Sequence, residues 1–136
     1  QDQDLLYGED GNDIVYGNMG ADTCYGDAGA DTIRGGQNDD VLFGGAGADW
    51  LSGDRGSDTM TGGTGADTFH TWGEAGVDRV LDFNYSEGDR VQIDLGTTYN
   101  AIQSGSDVVI SMGGGAEMTL AGVSLAALGA GWIFAA

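Results

Sequence analysis

The chain has 136 residues with 22 acids, four bases (all arginine), 27 glycines, no proline and one cysteine, for a formal charge of -18. Such a charge repels nucleic acid, anionic membrane and acidic polysaccharide, which leaves cationic or neutral partners, metal cations first. The length suits one domain or two small ones, the lone Cys24 excludes an internal disulfide, and 40% hydrophobic residues set the chain apart from a disordered acidic tail.

The chain opens at Gln1 inside a pattern, since Asp4 and Leu6 match positions six and eight of a nine-residue unit whose beginning is missing. It reads as a piece of a larger protein. No basic and apolar leader stands at the front, and no run approaches the ~18 apolar residues of a membrane-spanning helix. Seven complete units follow, at residues 8–16, 17–25, 26–34, 35–43, 44–52, 53–61 and 62–70. Position one is always glycine: Gly8, Gly17, Gly26, Gly35, Gly44, Gly53 and Gly62. Position four is Gly11, Gly20, Gly29, Gly47, Gly56 or Gly65, with Asn38 as the one substitute. Glycine at both places predicts backbone angles closed to residues with a Cβ, and asparagine is among the best substitutes there.

Position six is always aspartate: Asp13, Asp22, Asp31, Asp40, Asp49, Asp58 and Asp67. Position eight holds Val15, Cys24, Ile33, Leu42, Leu51, Met60 and Phe69, one inward residue for each short strand. Each unit therefore predicts a six-residue turn and a three-residue strand. Two units make an 18-residue coil, so successive strands alternate between two sheets that share a thin core. After Thr71 and Trp72 the pattern slips by two residues and resumes through Gly73, Gly76 and Asp78, a turn that closes the roll. Beyond it, strand-like segments fall at 80–83, 91–95, 108–110, 118–120 and 132–134, and Ser124 is placed to cap a helical turn over 125–128.

The units resemble the GGxGxDxUx nonapeptide of the RTX, or hemolysin-type, family. The resemblance covers residues 1–83, and the order of motifs from Gly65 through Asp78, Phe83, Asp89, Leu95, Ile110 and Val123 is similar to the C-terminal region of serralysin-type proteases. It implies an all-β fold: a right-handed parallel β-roll over 1–83, then a β-sandwich-like cap over 84–136. It also implies that Ca2+ is held at the turns, that the end of the chain is read by a type I secretion apparatus, and that the chain serves an upstream domain in a secreted, extracellular protein. A monomer is expected, without membrane insertion or nucleic-acid binding.

Hard oxygen ligands in a cage of six to eight suit Ca2+, more than one turn supplies. Turns 18 residues apart lie about 4.8 Å from each other on one side of a roll, so the gaps pair Asp4 with Asp22, Asp13 with Asp31, Asp22 with Asp40, Asp31 with Asp49, Asp40 with Asp58, and Asp49 with Asp67. Asp58 with Asp78 adds a pair at a spacing of 20. Six ions are expected, rising to seven or eight, with carbonyls of the glycine-turn residues completing each shell as the resemblance implies. Each ion offsets two negative charges, so metal-free repeats are expected to be unfolded and binding to be coupled to folding. Glu9, Asp10, Asp27 and Asp54 occupy variable turn positions and add field. Asp82, Asp89 and Asp94 are candidates for one further ion.

His70 is the only histidine, which rules out a histidine-rich zinc site, and it is expected at a strand edge. Cys24 reads as a core filler, and no Ser, His and Asp grouping has supporting context, so no catalysis is expected. Tyr7, Tyr25 and Phe43 recur at position nine with 18-residue spacing. This outward aromatic ladder suggests a carbohydrate-binding or adhesive module as the alternative function.

Overall fold

A computed structural model describes residues 2–136. The strands are β1 (Leu5–Tyr7), β2 (Ile14–Met19), β3 (Thr23–Ala28), β4 (Thr32–Gln37), β5 (Val41–Ala46), β6 (Trp50–Arg55), β7 (Thr59–Thr64), β8 (Thr68–Thr71), β9 (Val77–Val80), β10 (Arg90–Ile93), β11 (Tyr99–Ser104), β12 (Asp107–Met112), β13 (Glu117–Leu120) and β14 (Ile133–Ala135). Odd strands β1, β3, β5, β7 and β9 pair in parallel in one sheet, even strands β2, β4, β6 and β8 in the other. The 18-residue coil is explicit in the register, with Cys24 opposite Leu42 and Ile33 opposite Leu51. The two-residue slip is real: Met60 faces Val80.

The thin core is the position-eight column. Cys24, Ile33, Leu42, Leu51, Met60 and Phe69 are all fully buried, and Val15 nearly so. Burial pushes the Cys24 thiol up to about 12, with the charges of Asp40, Asp22 and Asp4 adding to the rise. It is inert filler.

Two local expectations are corrected. Strands β2 to β7 have six residues, because pairing resumes past the position-one glycine, as Asn18 to Gly36 and Met19 to Gln37 show. The turn shrinks accordingly to positions four to six. Left-handed backbone occurs at positions two and four, not one and four: Glu9, Asn18, Asp27 and Asp54 have φ between 69° and 76°, and Asn38 has 83°. Position one is glycine for lack of space, as described below.

Residues 84–136 prolong the same two sheets. β13 joins β9 in parallel and continues antiparallel to β12 and β11, while β10 joins β8 and β14 joins β10. Val91, Ile93, Val108, Ile110, Met118 and Leu120 extend the core without a break. β11 was not expected; it is an edge strand with almost every residue exposed, so no apolar alternation announces it. Ser124 makes no side-chain cap. The turn it precedes is a single 3-10 turn at Leu125–Ala127, and the Leu125 N–H donates to Gln103 Oε1 at 2.7 Å.

Candidate metal centre

The position-six aspartates form two ladders, one on each edge of the roll. In the first, the backbone N–H of Asp4 donates to Asp22 Oδ1, that of Asp22 to Asp40 and that of Asp40 to Asp58, each at 2.8 Å, and Asp58 reaches Asp78 at 3.3 Å. In the second, Asp13 donates to Asp31 at 2.8 Å, Asp31 to Asp49 at 2.9 Å and Asp49 to Asp67 at 3.0 Å. All seven expected pairs are therefore neighbours. An eighth rung was missed: the Asp67 N–H donates to Asp89 Oδ1 at 2.9 Å across 22 residues. Its signal is the Asp-x-apolar order of Asp89, Arg90 and Val91, the last two of which pair with Thr68 and Phe69.

The second oxygen of these carboxylates is the telling atom. Oδ2 of Asp13, Asp22, Asp31, Asp40, Asp49, Asp58, Asp67 and Asp78 is buried and has no hydrogen-bond partner. Buried polar atoms in folded proteins are nearly always paired, so eight along two ladders point to a ligand. Those of Asp13, Asp22, Asp31 and Asp49 lie beside the position-one glycine of their own unit and the carbonyl of the position-one glycine one coil on, and those of Asp40, Asp58 and Asp67 lie beside their own position-one glycine. A Cβ on Gly17 would stand 2.6 Å from Asp22 Oδ2 and 2.5 Å from the Gly35 oxygen, and one on Gly26 would stand 2.5 Å from Asp31 Oδ2 and 2.6 Å from the Gly44 oxygen. Glycine keeps this oxygen-lined cradle open.

The same burial penalises charge. It pushes the Asp40 carboxyl up to about 7, opposed by the Asp22 N–H and reinforced by the charges of Asp58 and Asp22. Burial likewise raises Asp58 to about 6, Asp67 to about 6 and Asp78 to about 8, the last reinforced by Asp58. No three His, Cys, Asp or Glu side chains converge among the described residues. The donors on offer are single carboxylates and backbone carbonyls, all hard oxygens, which fits Ca2+ and does not fit zinc.

Other acids have different partners. Asp82 accepts the Gly62 and Gly63 N–H groups at 2.9 and 2.8 Å, Asp89 accepts those of Asp67 and Asn84, and Asp94 accepts from His70 Nε2 at 3.0 Å. These three do not form one site; Asp82 and Asp89 stop the backbone ladders where the repeats end. Asp54 is gripped by Arg34, while Glu9, Asp10 and Asp27 are exposed. His70 is not at a strand edge but nearly buried, stacked on Trp50 with ring centroids 5.0 Å apart and with Nδ1 3.2 Å from Ser52 Oγ. Ser52 is fully buried, so this contact exposes no nucleophile.

The aromatic ladder forms as expected, ring against ring. Tyr7, Tyr25 and Phe43 stack on one another at 5.0 and 4.7 Å with interplanar angles of 10° and 8°. Mutual stacking occupies both faces of Tyr25 and one face each of Tyr7 and Phe43.

The family model for the RTX calcium-binding nonapeptide repeat (4 copies) matches residues 1–33 and 34–69. No curated protein matches the chain. Among solved structures, the chain is similar to the AlgE6R3 subunit of the Azotobacter vinelandii mannuronan C5-epimerase, with 28% identity and a TM-score of 0.54 over 98% of this chain and 78% of that one. The AlgE6R2 subunit of the same enzyme shares the fold at 24% identity and a TM-score of 0.50, over 96% of this chain and 91% of that one.

Proposed function

The chain belongs to the RTX calcium-binding nonapeptide repeat family, and from that premise we propose that Ca2+ is the switch that folds it. The observation that carries this reading is the set of eight buried, unpartnered carboxylate oxygens in two ladders. When bound, Ca2+ supplies positive charge and a coordination of six to eight oxygens that joins one coil to the next. The chain does the rest. Aspartate Oδ1 fixes the rung, Oδ2 faces the cradle, and the position-one glycine brings its carbonyl to the same point.

Without the ion, like charges stacked at about 4.8 Å oppose coil formation and a glycine-rich backbone is expensive to order. Residues 1–83 are the calcium-holding part and 84–136 the cap. The chain stays unfolded where calcium is scarce, passes a type I secretion apparatus, and folds outside the cell. There it acts as a monomeric, non-catalytic module that stabilises the domain upstream; its likeness to subunits of a larger epimerase supports the role of an appended module. Far-ultraviolet circular dichroism in EDTA and in millimolar Ca2+ tests this. Strand content should rise on adding calcium, and equal spectra would refute the switch. Calorimetry should count six to eight ions; fewer than four would contradict the rung scheme.

A further inference from the structure

The outer side of the even-numbered sheet carries a groove of about 430 Å³, within the roughly 300–1,000 Å³ of small-molecule sites. It opens where Gly36 lies between Asn18 and Asp54 on the neighbouring strands. Those two residues carry side chains at the repeat position where Gly36 has none, so the floor is bare backbone.

Two of the four basic side chains in this acidic protein meet at the groove, Arg34 and Arg55. Neither is a free cation. Arg34 holds Asp54 with two parallel bonds, Nε to Oδ2 at 2.9 Å and Nη2 to Oδ1 at 2.8 Å, and Ser52 Oγ donates to the same Oδ1 at 2.8 Å. Arg55 meets Glu74 at 3.2 Å. Local charge is thus balanced while the chain as a whole is strongly negative. A polyanion would have to break these pairs against the global field, and a metal cation would face two guanidinium groups.

Neutral polar capacity remains. Arg34 Nη1, the Gln37 amide and the Asn18 side-chain oxygen make no side-chain hydrogen bond among the described residues. Tyr16 is 50% exposed and stacks on no other ring among the described residues, while Trp72 stands in the wall beneath Arg55, 5.7 Å from its guanidinium. A pyranose combines an apolar C–H face, which packs on an aromatic ring, with adjacent hydroxyls that both donate and accept. A locked carboxylate–guanidinium pair beside a free amide and an unstacked tyrosine offers the complement. We infer that this groove binds a neutral hexose oligosaccharide, at a place separate from the stacked ladder of Tyr7, Tyr25 and Phe43.

The calcium-loaded chain is titrated with cellotetraose, maltotetraose and mannotetraose, and with tetragalacturonate as the acidic comparator, read by nuclear magnetic resonance at the side chains of Gln37, Arg34 and Trp72. At least one neutral tetrasaccharide should bind saturably. Tyr16→Ala and Gln37→Ala, both at exposed positions, should each weaken it about tenfold or more, a loss of ~1.4 kcal/mol, with unchanged circular dichroism. Tyr25→Ala should leave binding intact. The inference is overturned if no neutral sugar binds at 10 mM, if the uronate binds more tightly, or if Tyr25→Ala and not Tyr16→Ala removes binding.

Discussion

The backbone N–H of Asp67 donates to Asp89 Oδ1 at 2.9 Å although the nonapeptide pattern has ended between them. Asp89 also accepts the Asn84 N–H through Oδ2 at 2.8 Å, so both of its oxygens are satisfied. It ends the ladder where every earlier rung leaves an oxygen free. Asp89→Ala should leave the Asp67 and Asn84 donors unmet, the first of them buried, and destabilise the calcium-loaded fold by about 2–6 kcal/mol, at ~1–3 kcal/mol for each unsatisfied group. Asp89→Asn keeps one acceptor and should lose about half as much. Chemical denaturation in excess Ca2+ measures both.

Asp40 lies within its ladder and is almost fully buried, whereas Asp4 is exposed at the open end. Asp40→Asn should raise the calcium midpoint of folding about tenfold or more, because a charged hydrogen-bonding group contributes ~1.5–3 kcal/mol and each 1.4 kcal/mol is a factor of ten. Asp4→Asn should move it less than threefold. Calcium titrations of the two variants by circular dichroism compare them directly; equal shifts would contradict the buried-rung account.

Glycine at position one and glycine at position four fail differently. Gly26→Ala places a methyl 2.5 Å from Asp31 Oδ2 and 2.6 Å from the Gly44 oxygen. It should remove one ion from the calorimetric count. Gly11→Ala meets nothing within 4 Å but sits at φ 124°. Strain there should cost about 1 kcal/mol and leave the count unchanged.

In EDTA the raised carboxyls make the folded state the better proton binder. Asp40 at about 7, Asp58 and Asp67 at about 6 and Asp78 at about 8 stand above the ~3.9 of an unfolded aspartate. Their contribution favours the fold fully below the unfolded value and is lost as pH rises through the folded ones. The metal-free chain should therefore show more strand at pH 4.5 than at pH 8. Calcium affinity should follow the opposite course and rise across pH 6 to 8 as the protons leave. Spectra that do not change with pH in EDTA would contradict the first half, and a calcium midpoint constant from pH 6 to 8 the second.

The repeats carry most of this in the sequence itself. Position eight marked the core from Val15 to Phe69, and position six marked the pairs from Asp4 with Asp22 through Asp58 with Asp78. What the pattern could not carry was context beyond its own period. Gly17 and Gly20 look alike in sequence, yet only Gly20 has left-handed backbone; Gly17 is needed for the room a neighbouring coil takes. β11 escaped because an exposed edge strand has no buried face to alternate with, and Asp89 escaped because its spacing of 22 follows from the cap and not from the repeat.

Every rung runs in one sense. The donor belongs to the earlier coil and the acceptor to the later, from Asp4 and Asp22 to Asp67 and Asp89. The roll therefore has a direction as well as an axis. A coil laid down on one that follows it in sequence finds a carboxylate already waiting for its amide, while a coil laid down the other way brings the carboxylate itself. Assembly that starts at the capped end is templated at each step, and loss of one aspartate leaves its unmet amide on the N-terminal side.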